Sequence, residues 1–191
     1  MTKRGPYTIK SSKQIYKNPW IEVREDAVVF PNGSESIWGT VHIKHGVSVL
    51  AMDDQGNIYF TKQFHYGAGN EAPEVIAGGI DGDETPLQAA QRELQEEAGL
   101  EAKEWTFIGM MRPMTSYTDH VEHLYLARGL TEVSQHLDPG EIISIFKIPF
   151  ATAVQWVMEN KIEDCYSACL ILRVAEYVKK HSNILENVRI S

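Results

Sequence analysis

Three glutamates crowd one short stretch of the chain, Glu93, Glu96 and Glu97. On a helix, Glu93 and Glu97 are i,i+4 neighbours on one face, where like charges destabilise the bare helix. A divalent cation reverses that penalty, because magnesium is a hard ion that favours carboxylate oxygens and bridges readily to phosphates. Glu84, just upstream, and the backbone of the Ala77-Gly78-Gly79 bend can reach the same place. The two glycines permit a tight bend and close approach. Taken alone, an acidic helical face is equally well explained as exposed surface in a chain with excess acid.

The elements that must position these groups are well punctuated. From Pro86 to Ala98 the apolar residues Leu87, Ala90, Leu94 and Ala98 recur at three- and four-residue steps, which predicts a helix. Thr85 is its cap, Pro86 fits the first turn, Gln88 completes a capping box, and Gly99 stands where a left-handed residue closes the helix. Leu87, Ala90 and Leu94 should anchor the far face in the core, so that the carboxylates ride on a rigid element.

Upstream, Val47 to Met52 and Ile58 to Gln63 read as a hairpin closed by Asp53-Asp54-Gln55-Gly56-Asn57. His65 to Pro73 reads as loop, Val75 to Ala77 as a short extended piece, and Gly78-Gly79 as its break. Downstream, strands are expected at Trp105 to Met111, Val121 to Ala127 and Ile142 to Ile148, then helices at Phe150 to Asn160 and Asp164 to Lys180. Before all of these lies an extended arm. In it Ile21, Val23 and Ala27 to Phe30 are strand-like, Pro31 to Ser34 is a turn, and Ile37 to Ile43 alternates again. Such a unit has little core of its own and must pack on the main domain or on a second subunit. The domain reading is residues 1–44 as a β arm and 45–191 as the main domain.

A chain of 191 residues, 43% hydrophobic and 23% charged, buries one substantial core. Its formal charge of -8, from 18 Lys+Arg against 26 Asp+Glu, repels nucleic acid and anionic membrane surfaces. A small phosphorylated substrate meets the same field and needs local cations, from side chains or bound metal. Met1 to Tyr7 runs into Gly5-Pro6 without an apolar stretch, so no secretion signal is read, and no segment approaches a membrane span. Cys165 and Cys169 lack zinc-site spacing and read as core or semi-buried thiols. A cytoplasmic protein of a reducing compartment is the expectation.

Written out, the acidic segment is Gly78, five residues, Glu84, seven residues, then Arg92-Glu93-Leu94-Gln95-Glu96-Glu97-Ala98-Gly99-Leu100. This resembles the Nudix box at every constrained position. The resemblance implies an α+β fold, a mixed sheet sandwiched between helices, here with an N-terminal extended β arm. It implies Mg2+ as cofactor, with Mn2+ able to substitute. Glu93 and Glu97 would be the principal metal ligands, Glu96 a further ligand or water-orienting carboxylate, and the Ala77 carbonyl a backbone ligand. Arg92 and Glu84 would be structural or supporting groups, with Arg92 able to pair along the helix to Glu96.

A finer likeness is to the ADP-ribose and nucleoside-diphosphate-sugar pyrophosphatase branch. It rests on the arm, on Phe60-Thr61-Lys62-Gln63-Phe64-His65-Tyr66, on Glu74-Val75-Ile76-Ala77-Gly78, on Pro113 and on Asn160-Lys161-Ile162-Glu163-Asp164. Members of that branch usually form dimers through the arm, which implies a homodimer. Two departures stand out. The branch commonly has Gln-x-Arg where this chain has Gln63-Phe64-His65, and Glu-Leu-Pro-Ala-Gly where it has Glu74-Val75-Ile76-Ala77-Gly78. Histidine at 65 replaces a fixed phosphate-binding cation only conditionally on pH.

For the substrate's base ring, Trp20, Trp38 and Phe30 are candidates by stacking and equally good as packing residues. Arg112 can meet a diphosphate or be a solvated strand-end charge. His120 and Glu122 share a strand face that His123 does not, which argues against a zinc site there. The implied reaction is attack of a metal-activated water on one phosphorus of a P-O-P linkage in ADP-ribose or a related nucleoside diphosphate sugar, giving a nucleoside monophosphate and a sugar phosphate.

By likeness to that branch Glu141, in Leu137-Asp138-Pro139-Gly140-Glu141, takes the metal-facing role, while the branch's base position falls on Pro139, which has no ionisable group; Glu141 is then the preferred general base, with Asp138 and Glu96 as alternatives. Reach favours Glu141, because Pro139 restricts the backbone of Asp138. Rival readings are a housecleaning nucleoside-triphosphate pyrophosphohydrolase and a nucleotide-sugar-sensing domain without turnover.

Overall fold

The structure is a computed structural model that describes residues 1–137, 140 and 142–181. It divides into two compact units, one made of Met1–His45 with Arg112–Val121, the other of Gly46–Met111 with the chain from Glu122 onward. The second is the Nudix-like body and the first the N-terminal β arm.

In the arm, β1 (Thr2–Arg4), β2 (Tyr7–Lys17), β3 (Ile21–Val29) and β4 (Glu35–Ile43) form an antiparallel sheet in chain order. The expected strand pair is β3 with β4, in register from Ile21 opposite Ile43 to Val29 opposite Glu35. Gly33, at φ +85, and the Asn32 side chain, which accepts from the Ser34 N–H, close the turn between them. The long β2 strand was not legible as a strand, because Lys10 to Lys17 are all exposed and carry no inward apolar alternation. Residues 112–121 join this sheet: the Val41 N–H donates to the Tyr117 carbonyl at 2.7 Å, and Trp38 Nε1 donates to the Ser116 carbonyl at 3.1 Å.

The body has two sheets. In one, β5 (Gly46–Ala51) lies between β8 (Ile76–Gly79) and β10 (Glu122–Glu132), and β9 (Leu100–Met111) flanks β10. The β5–β10 pairing is parallel and the others antiparallel, so the sheet is mixed. The other sheet runs β11 (Ser144–Pro149), β6 (Asn57–His65), β7 (Asn70–Glu74). All six residues of β5 are buried, as a strand covered on both faces must be.

Its alternate side chains sort to two cores. Val47, Val49 and Ala51 pack with Ile76, Ala90 and Leu94 of helix α1 (Pro86–Ala98). Leu50 packs with Leu124, Leu126 and the inner face of α3 (Cys165–Lys180), joined by Phe150 and Ala153 of α2 (Phe150–Met158). This is the helix, sheet, helix sandwich that the motif implied. Among the described residues no helix is long and apolar enough to cross a membrane.

Three local expectations need correction. The turn at Asp53 to Asn57 forms, with the Asp53 carboxylate accepting from the backbone N–H groups of Gln55 and Asn57. Beyond one bridge between Met52 and Ile58, however, β5 and β6 diverge into different sheets, because both edges of β5 are taken by β8 and β10. The stretch from His65 is no long loop. It turns tightly at Gly69, at φ +75, and returns as β7 antiparallel to β6. The glycines Gly78 and Gly79 do not break β8 but end it, paired with Val47 and Gly46.

Candidate functional site

The catalytic-type helix begins and ends as its sequence requires. The Thr85 side chain accepts from the Gln88 N–H, the Gln88 side chain in turn accepts from the Thr85 N–H, and Gly99 closes the helix in the left-handed region at φ 62. Ala89, Ala90 and Leu94 are fully buried, and burying a leucine of this kind is worth roughly 1.5–3 kcal/mol. Leu87, expected among these anchors, is instead 37% exposed, so the helix is held by Ala89, Ala90 and Leu94.

On the other side of α1, Arg92 organises the carboxylates. Its Nε donates to Glu84 Oε1 at 2.8 Å, and its Nη2 to Glu84 Oε2 at 3.1 Å and to the Gly79 carbonyl at 2.7 Å. Its Nη1 is shared between Glu93 Oε1 and Glu96 Oε2, both at 2.8 Å. Glu84 in turn accepts from the Asp81 N–H at 3.0 Å, which fixes the loop ahead of the helix. The two-point bond from Glu84 is the largest influence holding the Arg92 guanidinium charged, raised above its ordinary value despite partial burial, with Glu96 and Glu93 adding.

Glu97 points elsewhere. It is 4% exposed, and its Oε2 accepts from the Ala77 N–H at 3.2 Å. The resemblance implies the Ala77 carbonyl as a backbone ligand to metal; the bond formed here is from the Ala77 N–H to Glu97. Gly78 is required for a different reason from the bend expected of it. A Cβ there would overlap the Glu93 carboxylate, so glycine is what lets that side chain lie against the strand.

The arrangement therefore brings together Glu84, Arg92, Glu93, Glu96, Glu97 and the β8 backbone. Three carboxylates, Glu84, Glu93 and Glu96, bond one guanidinium, Glu97 is turned to the Ala77 N–H, and every side-chain donor available to a cation is an oxygen. That donor set and that charge surplus fit magnesium. Among the described residues no three acidic, histidine or cysteine side chains converge into a ready cage, and Arg92 Nη1 stands between two of the acidic ones. A cation shared by Glu93 and Glu96 competes with that nitrogen for the same oxygens.

The remaining sequence candidates are dispersed. His65 is paired with Glu74, Nε2 to Oε1 at 3.2 Å, and Gln63 donates to the same oxygen at 2.6 Å. Burial pushes the Glu74 carboxyl up, although Gln63 and His65 pull it down. Arg112 belongs to the arm unit, where its Nη1 donates to the Asp119 carbonyl at 3.2 Å. Trp20 is 71% exposed at the β2–β3 turn, whereas Trp38 is half-buried with its ring in contact with Tyr7, centroids 5.5 Å apart. Phe30 meets the same Tyr7 ring edge-on at 5.4 Å.

Glu141 and Asp138, the candidates for the general base, lie outside the described residues. Glu122 is buried and accepts from Ser48 Oγ at 2.6 Å, and His120 shares a short bond with the Lys44 carbonyl, so these two serve separate places. Cys169 is half-buried, but Cys165 is exposed at the first residue of α3, against the expectation for both thiols.

The NUDIX domain profile matches residues 42–167, and the profile of a nucleoside diphosphate sugar hydrolase N-terminal domain matches residues 7–41. The chain is 30% identical over 163 residues to an ADP-ribose pyrophosphatase of Bacillus subtilis (strain 168), covering 84% of this chain and 88% of that one. It is 29% identical over 159 residues to a methanol dehydrogenase activator of Bacillus methanolicus, covering 82% and 85% of the two chains. A crystal structure of an ADP compounds hydrolase superposes with a TM-score of 0.83 over 95% of this chain and 98% of that one, at 19% identity, a likeness of fold.

Gly78→Ala tests the glycine's role. The new methyl displaces the flexible Glu93 carboxylate rather than backbone, so the variant should keep its circular dichroism and unfolding midpoint while magnesium-dependent turnover falls at least about tenfold, as for other groups that position metal ligands. Unchanged turnover in the folded variant would mean that the place of Glu93 is immaterial.

Proposed function

The chain belongs to the Nudix hydrolase superfamily, and from that premise we propose that it is a magnesium-dependent pyrophosphatase of nucleoside diphosphate sugars, the class that includes ADP-ribose. The observation that carries this reading is the carboxylate set of α1 gathered around Arg92, in a chain whose arm matches the profile of a nucleoside diphosphate sugar hydrolase N-terminal domain. The likeness to an ADP-ribose pyrophosphatase over 84% of this chain supports the same substrate class.

Bound magnesium supplies Lewis acidity that lowers the pKa of a water and offsets charge on the phosphoryl oxygens. The chain's own residues do the rest. Glu93 and Glu97 would hold the cation, the first lying against Gly78 and the second receiving the Ala77 N–H. Arg92 keeps Glu84 and the β8 end fixed while it can yield Nη1 from Glu93 and Glu96. Glu96, 34% exposed in its side chain, is the member of the set most open to water and orients it. Glu141 accepts the proton of the attacking water as its oxygen bonds to one phosphorus, and the bridging P–O bond breaks to release the second phosphate with its sugar or nucleoside. Trp38, Trp20, His65 and Arg112 are the side chains proposed to contact the substrate. The arm is proposed to pair two copies into a homodimer, for which light scattering should give twice the chain mass; a monomer at micromolar concentration would refute it.

The experiment is a product screen with magnesium over ADP-ribose, other nucleotide sugars, dinucleotides and nucleoside triphosphates, read by phosphorus NMR. A nucleoside monophosphate and a sugar phosphate are expected. Release of inorganic pyrophosphate from triphosphates would make it a housecleaning enzyme, and binding without turnover a sensor. On the best substrate, Glu141→Gln should lower kcat by roughly a hundredfold or more, within the usual span of general-base assistance, and Asp138→Asn by less than about tenfold. The reverse order assigns the base to Asp138.

A further inference from the structure

The arm unit holds a cleft of about 340 Å³, within the size range of small-ligand sites. Its apolar walls are Ile9, Val28 and the rings of Tyr7 and Trp38, all of which strand alternation places on one face of the β2–β3–β4 sheet. The Trp38 ring is pinned by its Nε1 bond to the Ser116 carbonyl, so the wall is rigid. On the same face, directly opposite Trp38 in the strand register, lies Asp26.

Asp26 is only 7% exposed and lines the cleft. Among the described residues its carboxylate has no hydrogen-bond or ion-pair partner and no unpartnered side-chain oxygen is fully enclosed, so its oxygens are open to the cleft that Asp26 lines. Burying a carboxylate without donors is costly, and a strand face otherwise given to Val28, Ile9 and Trp38 is a poor place for one unless a ligand supplies them. Arg4 lines the same cleft and is exposed, a cation suited to a phosphate.

We propose that this cleft is a nucleobase site and that Asp26 selects a guanine edge. The inference rests on the proposed function for the ligand's being a nucleotide and adds to it the identity of the base. Flat rings are held by aromatic and apolar walls and read by hydrogen bonds along their pairing edge. An ionised carboxylate offers two acceptors side by side and no donor. Guanine presents two adjacent donors there, N1–H and the 2-amino group. Adenine and cytosine each set a ring-nitrogen lone pair beside their amino group, and uracil flanks its one N–H with carbonyl oxygens. Asp26 repels these and matches guanine.

The test is calorimetric binding of GMP, IMP and AMP to the full chain without added metal, where turnover plays no part. GMP should bind at least about tenfold more tightly than AMP, the discrimination expected of one good two-point hydrogen-bonded contact. IMP, which lacks the 2-amino group, should fall between them. Asp26→Asn places a donor beside an acceptor and should reverse the order in favour of AMP, with circular dichroism confirming the fold. The IMP comparison needs no variant and stands if Asp26→Asn does not fold. Equal affinities for the three nucleotides, absence of saturable binding, or an unchanged order in folded Asp26→Asn would overturn the assignment. Loss of guanine preference with sugar-nucleotide hydrolysis intact sinks this inference alone. Guanine-selective binding without any hydrolysis sinks the proposed function and leaves the site.

Discussion

The body of this protein depends on one guanidinium. Arg92 is bound at one end by both oxygens of Glu84 and the Gly79 carbonyl, and at the other spans Glu93 and Glu96 with a single nitrogen. The first set of bonds fastens the loop ahead of α1 to the end of β8. The second holds apart carboxylates that would repel one another on a bare helix. Because Nη1 can leave while Nε and Nη2 stay, the same residue can stabilise the folded chain without a cation and still surrender oxygens to one. An i,i+4 pair such as Arg92–Glu96 is worth little by itself on a surface. Its consequence here comes from being one arm of a partly buried network tied to two backbone segments.

That network explains why the surrounding residues are what they are. β8 must carry glycine at 78 because Glu93 occupies the space above it. Glu97 must be buried because the strand N–H it receives belongs to Ala77, on the same strand that flanks buried β5. Leu94 and Ala90 on the opposite side of the helix lock its rotation against Val47, Val49 and Ile76. Small errors in any of these would turn the acidic face away from β8.

Much of this was legible in the residues. The helix, its Thr85 cap and its Gly99 end follow from local chemistry that tertiary packing did not override, and the structure reproduces the bounds Pro86 and Ala98. The Arg92–Glu96 bond was visible from i,i+4 spacing. Pairing between distant strands was not: β5 and β6 look like a hairpin by sequence, and only the arrival of β8 and β10 on both edges of β5 decides otherwise. The polar strand β2 left no periodic trace because its far half buries nothing. Asp26 did leave one, a carboxylate two residues before Val28 on the inward side of a strand, but a single sequence does not reveal that the space before it is open. The distribution of Trp20 and Trp38 between exposure and packing likewise needed the fold.

The central claim, that the acidic face of α1 exists to hold a divalent cation, is tested most directly by thermal unfolding of the chain across a magnesium titration. A ligand that binds only the folded state raises stability by about 2.7 kcal/mol when present at a hundred times its dissociation constant. The account predicts a midpoint that climbs with the logarithm of magnesium concentration in the parent chain and is nearly flat in Glu97→Gln. A midpoint indifferent to magnesium in the parent chain, or an identical climb in both, would contradict it.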